Sequence, residues 1–227
     1  MSIRSCVLAV TAFAACATAT TSSQQQGHPD APTGGNDDAP RGGNDGMPPH
    51  IDAGGGIDAP PGSCATPFSG TLATWSFVGE SGSQAQTAAT SMATGVSAGP
   101  VTRASGLTVA SGVGSINSSG WSTAATVDTS KYYTFSVTPP SGCTMDLTQL
   151  AIDEKSSGTG PTKSAAATSA DSFGQMTMVT VNAATTPALS VTGATGSIEV
   201  RVYGYAASSA SGTMRIQNTL SLSGALH

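Results

Sequence analysis

From Thr71 onward apolar residues fall at every second position, which is the period of a strand with one buried face and not the three-to-four spacing of a helix. Ala73, Trp75 and Phe77 share one face of a first strand. Tyr133, Phe135 and Val137 do the same within Lys131–Thr138, which Pro139-Pro140 ends. Met145 and Leu147 open a further strand, and Leu150 and Ile152 continue it on shifted parity; a bulge near Thr148 reconciles the two halves. Met176, Met178 and Thr180 mark the next strand. Ile198, Val200 and Val202 alternate with Glu199, Arg201 and Tyr203, the clearest half-buried pattern in the chain. Met214, Ile216, Asn218, Leu220 and Leu222 close it. Gly and Ser-Gly breaks separate the runs, and the Ala-rich Gln84–Thr94 reads as loop or edge strand because of its Thr and Ser content. The expected fold class is all-β: an antiparallel two-sheet sandwich, jelly-roll-like, following a disordered linker.

The first 63 residues carry no such pattern. Arg4 precedes a short apolar run, Val7–Ala15, too short to span a bilayer, and together they read as a secretory signal over residues 1–15. Two cleavage sites compete. Phe13-Ala14-Ala15-Cys16 resembles a bacterial lipobox, with Phe13 in place of the usual Leu, and would make Cys16 a lipidated N-terminus; Ala12-Phe13-Ala14 is an ordinary A-x-A site. Residues 16–63 form an Asp/Pro/Gly-rich tether. Asp30-Ala31-Pro32-Thr33-Gly34-Gly35-Asn36-Asp37 recurs as Asp38-Ala39-Pro40-Arg41-Gly42-Gly43-Asn44-Asp45. Such units bury too little apolar surface to offset ordering entropy, and as a Gly-rich coil they would span roughly 35–40 Å. The expected organisation is signal, tether, and a β-sandwich domain over residues 64–227. The expected address is an exported lipoprotein of the outer membrane or cell surface, otherwise a secreted protein, touching a membrane only through the N-terminal lipid.

Charge narrows the partners. Charged residues are 9% of the chain, against about 25% in an average soluble protein. Residues 17–63 hold six Asp against one Arg, whereas from Cys64 onward seven acids face six bases. The nearly neutral, hydroxyl-rich domain lacks the basic patch that a phosphate backbone requires, so a nucleic-acid partner is not expected. Cys64 and Cys143 remain as an even pair in an exported chain, and a disulfide between them is expected.

Over about Leu72–Ser223 the chain resembles a β-sandwich domain of secreted bacterial proteins, found in envelope-sorted exterior proteins and beside extracellular nuclease modules. The resemblance is carried by Trp75-Ser76-Phe77, Ala104-Ser105-Gly106-Leu107, Ser119-Gly120-Trp121, Tyr132-Tyr133-Thr134-Phe135, Ser157-Gly158-Thr159-Gly160-Pro161, Ser169-Ala170-Asp171-Ser172-Phe173, and Arg201-Val202-Tyr203-Gly204-Tyr205 leading to Gly212-Thr213-Met214-Arg215-Ile216-Gln217-Asn218. The chain departs from it in lacking a C-terminal sorting helix and a nuclease module, and in having Gln217 where an Asp is usual. The resemblance implies a jelly-roll exterior domain and transfers no single activity.

Candidate chemistry is sparse. Aromatic rings stack on sugar faces, and Tyr203 and Tyr205, on the face opposite Val200 and Val202, are expected outward or at a sheet edge as the best ligand-stacking residues. Tyr132 opposes Tyr133 and joins them by parity, and Trp121 sits in a small polar loop where exposure competes with a core role. Asp171, with Asp153 or Glu154, is a candidate structural calcium site, set against turn capping and solvated charge. Arg103 and Arg201 are carboxylate binders or surface charges. His28, His50 and His227 lie outside the strands, and neither an HExxH nor a nucleophile elbow is present. No catalytic residues and no cofactor beyond that calcium are therefore expected. The leading expectation is a surface-tethered, non-catalytic module for a polysaccharide or envelope component. The alternatives are a structural or adhesion protein working through protein contacts, and a hydrolase with an unrecognised carboxylate pair, which needs two acids on one cleft.

Overall fold

The computed structural model describes residues 64–227. Within them the strands are β1 (Phe68–Ser76), β2 (Gln86–Thr87), β3 (Ser91–Met92), β4 (Ser97–Ala98), β5 (Val101–Arg103), β6 (Thr108–Ala110), β7 (Ser115–Ser119), β8 (Tyr132–Thr138), β9 (Met145–Ser156), β10 (Lys163–Thr168), β11 (Thr177–Val179), β12 (Ala184–Thr185), β13 (Ala188–Ala194), β14 (Ile198–Tyr205), β15 (Met214–Gln217) and β16 (Thr219–Leu226), with one 3-10 turn at Ser169–Asp171. They form two antiparallel sheets. One is ordered β3-β1-β16-β9-β15-β7-β6, with β12 and β13 also on β9; the other is β11-β10-β14-β8-β5-β2, with β4 on β8. The chain is thus the expected jelly-roll-like β-sandwich.

The long strand β9 is the spine of the nine-stranded sheet. β15 and β16 follow one another along one of its flanks, from Met214↔Ser156 to Leu226↔Met145. The final apolar pattern, Met214 to Leu222, is therefore one strand in effect, interrupted at Asn218, which takes a left-handed φ of 58°. Asp153 fixes that interruption: its Oδ2 accepts from Gln217 Nε2 at 3.2 Å and from Asn218 Nδ2 at 2.5 Å. The bulge expected near Thr148 is present. Ser223 pairs with Gln149 and Gly224 with Leu147, so Thr148 is skipped and the two parities of β9 both reach the core.

Between the sheets lie Trp75, Phe77, Tyr133, Phe135, Met145, Leu147, Leu150 and Leu222, all buried. Two edge-to-face pairs join the layers: Trp75 with Phe135 at 5.0 Å and Trp121 with Tyr133 at 5.2 Å. The polar atoms that this brings inside are paired. Trp75 Nε1 donates to Gly99 O (3.0 Å), Trp121 Nε1 to Ser118 O (2.8 Å), and Tyr133 Oη across the sandwich to Met214 O (2.7 Å). Removing a ring of this kind from a packed core costs about 3–5 kcal/mol. The Cys64–Cys143 disulfide is formed, with a Cα–Cα distance of 4.3 Å. It ties the start of the described chain to the turn before β9; closing a loop of 79 residues' separation contributes roughly 4 kcal/mol in the chain-entropy description.

Two expectations are corrected here. Trp121 is not a loop-borne ligand contact: it is fully buried as a core plug, because a sandwich with few aromatics gains more from burying an indole than from exposing it. Met176 and Met178 do not mark an inward face. β11 is an edge strand on which Val179 points inward, while Met176 and Met178 remain 40% and 59% exposed. The expected lipidation at Cys16, the expected signal and the expected tether fall outside the described residues.

Candidate functional site

The outer face of the seven-stranded sheet gathers the polar and aromatic groups that the strand alternation turns away from the core. On β14, Ile198, Val200 and Val202 point inward, which leaves Glu199, Arg201 and Tyr203 outward. Register then sets their neighbours: Arg201 lies opposite Thr134 on β8 and Ala167 on β10, and Tyr203 lies opposite Tyr132 and Ala165. Arg201 Nε donates to Glu199 Oε1 at 2.7 Å, and Thr134 Oγ1 donates to the same oxygen at 2.8 Å. Burial alone would push the Glu199 carboxyl up; the Arg201 and Thr134 hydrogen bonds outweigh it and hold the group below the usual glutamate range. Burial disfavours charge on Arg201, and Glu199 together with the neighbouring Tyr203 and Tyr132 hydroxyls more than offsets it.

Two rings flank the Arg201 guanidinium. Its Cζ lies 4.3 Å from the centroid of Tyr132 and 3.8 Å from that of Phe173. Phe173 reaches this position from the turn after β10. Ser172 and Phe173 both adopt left-handed φ, 59° and 62°, a conformation that bulky residues rarely take. The turn is held by Phe173 N donating to Thr168 O, by Gln175 N donating to Asp171 Oδ2 at 2.6 Å, and by Glu199 N donating to Ser169 Oγ at 2.9 Å. Beside the Glu199–Arg201 pair runs a shallow trough of ≈ 570 Å³, whose polar lining comes from Thr102, Thr134, Ser136, Ser169, Ser197 and Glu199. Hydroxyls and a carboxylate of this kind both donate to and accept from a polyol.

Of the sequence-predicted residues, Tyr132 is half-buried at this face and belongs to the cluster. Tyr203 and Tyr205 require correction. β14 lies between β10 and β8 and is no edge strand. Tyr203 does point outward, but it is 1% exposed, packed edge-to-face with Tyr132 at 5.7 Å. Tyr205 is 8% exposed and its hydroxyl meets Met178 Sδ at 3.7 Å. Neither offers a bare ring to a ligand. Burial raises the Tyr203 phenol, the Arg201 charge pulling the other way, and Tyr203 Oη has no hydrogen-bond partner among the described residues.

The acids proposed to share a calcium ion are not brought together. Asp153 and Glu154 are successive on β9 and face opposite sides of the sheet; Asp153 holds the Asn218 interruption, and Asp171 caps its own turn. Among the described residues no three His, Cys, Asp or Glu side chains converge as a metal cluster. The same scatter separates the acids that a carboxylate-pair hydrolase would draw on: Asp153 is outside the nine-stranded sheet, Glu154 is inside the sandwich, and Glu199 is outside the other sheet.

Sequence reasoning missed two inward polar groups. Glu154 is fully buried. Its Oε1 accepts from Ser164 Oγ at 2.9 Å while Oε2 is unpartnered among the described residues, and burial raises its pKa to about 8. Arg103 shares the parity of Val101 and turns inward beside Tyr133. Its Nε donates to Asn117 O (3.1 Å) and Ser118 Oγ (2.9 Å), and its terminal nitrogens donate to the carbonyls of Gln84 and Gly82. It is a strut between a loop and β7. Both inversions were visible in principle, as Glu154 continues the Leu150–Ile152 parity.

Compared with family models, with curated proteins and with solved structures, the chain finds no match.

Proposed function

We propose that the chain is a surface-tethered, non-catalytic binding module for a polysaccharide or other envelope component, and that its ligand lies on the outer face of the seven-stranded sheet. The observation that carries this is the hydroxyl-lined trough beside the Glu199–Arg201 pair, with Tyr132 and Phe173 against the guanidinium. Sugars present hydroxyls to hydroxyl and carboxylate partners, and the trough supplies contacts of that kind. The signal-like residues 1–15, the Cys16 lipobox resemblance and the tether-like composition of residues 16–63 support an exported protein held near a membrane surface.

A second reading, adhesion through protein contacts, is favoured by one feature: the exposed Met178 on edge strand β11 and Met176 just before it. A glycan-array screen of the full chain beside its Glu199→Gln and Met178→Ser variants separates the two. The proposal expects glycan binding that Glu199→Gln weakens roughly tenfold or more, since hydrogen bonds to a charged group contribute on the order of 1.5–3 kcal/mol, and that Met178→Ser leaves unchanged. Absence of binding to any arrayed glycan, or binding indifferent to Glu199→Gln, contradicts it.

A further inference from the structure

We infer that Arg201 is the receptor for a carboxylate, and that the ligand is an acidic, uronate-bearing glycan. This rests on the binding face proposed above and specifies what it selects. A guanidinium has five N–H donors in one plane. The Nε–H of Arg201 is engaged by Glu199 Oε1, and the Tyr203 hydroxyl lies against the guanidinium without a well-formed hydrogen bond among the described residues, which leaves terminal donors free. The side chain is 23% exposed. A guanidinium kept in place for structure alone usually spends its terminal donors on carbonyls, as Arg103 does with Gln84 and Gly82. Arg201 instead has its flanks occupied by the rings of Tyr132 and Phe173 and its inner edge by Glu199, which orients the planar fork and leaves its terminal edge unspent.

An oriented fork of two parallel donors matches a planar carboxylate bidentately. The flanking rings present negative π faces, which disfavours an anion arriving out of the plane and favours one arriving edge-on. The charge balance agrees. The strands of this sheet turn Arg201, Lys163 and Glu199 outward, leaving one net positive charge. Glu199 lowers the attraction for an anion without filling the fork, because its Oε1 meets Nε alone.

The test compares an oligogalacturonide with its methyl ester, which keeps the sugar backbone and removes the carboxylates, by titration calorimetry on the full chain. Wild type is expected to bind the acid roughly tenfold to a hundredfold more tightly than the ester. Arg201→Gln is expected to abolish that preference. Arg201→Lys, which keeps the charge and loses the fork, is expected to retain only a small part of it. Thermal melting of each variant shows whether it is folded; if Arg201→Gln is not, Arg201→Lys and the wild-type ester comparison decide. Equal affinity for acid and ester, or a preference unchanged in Arg201→Lys, overturns the inference. Binding of neutral glycans that depends on Glu199 but ignores the carboxylate overturns it while leaving the binding face standing. If neither acidic nor neutral glycans bind, both fail.

Discussion

Three side chains carry most of what separates this molecule's surface from its interior: Glu154, Arg103 and Tyr203. The first two break the equation of polar with outward, and Tyr203 breaks that of outward with exposed. Glu154 and Arg103 obey strand parity and therefore point inward, whatever their charge. Tyr203 obeys parity too and points outward, but Tyr132 packs edge-to-face against it and it is buried nonetheless. Alternation thus predicts direction, while exposure depends on what crosses over the face, and the turn that brings Phe173 across cannot be read from strand periodicity. Glu154 makes a prediction at this scale. Its folded pKa, about 8, lies above the unfolded value of 4.5. The native state therefore holds a proton that the unfolded chain has released between these limits. The associated stability is fully present below pH 4.5 and is lost as pH rises through about 8. The unfolding free energy from denaturant titration is expected to fall across that window by an amount on the order of a few kcal/mol. In Glu154→Gln, which keeps the shape and the Ser164 partner without the titration, the slope is expected to flatten. An unchanged slope in the variant would mean that Glu154 is ionised or solvated in the fold.

At the scale of elements, the sequence pattern was most informative where it appeared to fail. The parity change between Leu147 and Leu150 demanded an extra residue, and the register skips Thr148. The partner strand accepts this through Gly224, where a Cβ would run into the Asp146 carbonyl oxygen. Gly224→Ala is expected to destabilise the domain by about 1–3 kcal/mol through backbone displacement, read as a lowered denaturant midpoint with an unchanged m-value; a neutral effect would show that the bulge relaxes freely. The break between β15 and β16 was not legible, since Asn218 sits at an even, core-like position in the Met214–Leu222 series. What redirects it is a pair of long-range hydrogen bonds to Asp153, sixty-five residues away, and no local pattern encodes such a partner. Asp153 lies on β9 of one sheet and Asp171 in the turn after β10 of the other, so the two are no neighbours. β11 was misread for a related reason: alternating methionines look like a core face, yet an edge strand has only one side covered, and the shorter Val179 fills it.

For the whole molecule, fold class and the disulfide pairing followed from periodicity and from the two cysteines left in the domain. The binding face did not, because a trough arises from the juxtaposition of β5, β8, β14 and the turn after β10, which are distant in sequence. Of the aromatic residues singled out beforehand, only Tyr132 stands at that face with part of its surface uncovered. The proposed ligand surface therefore rests on Glu199, on Arg201, which the sequence left between carboxylate binder and surface charge, and on hydroxyls that the sequence did not single out. A sandwich has two outer faces and several edges, and the account commits to one of them. The most direct measurement is two-dimensional NMR of isotopically labelled protein during titration with a bound glycan. The account predicts backbone shifts concentrated at Thr102, Thr134, Ser136, Glu199 and Arg201. Shifts concentrated at β11 and the residue before it, Met178 and Met176, or on the outer side of the nine-stranded sheet around Asp153, would contradict it.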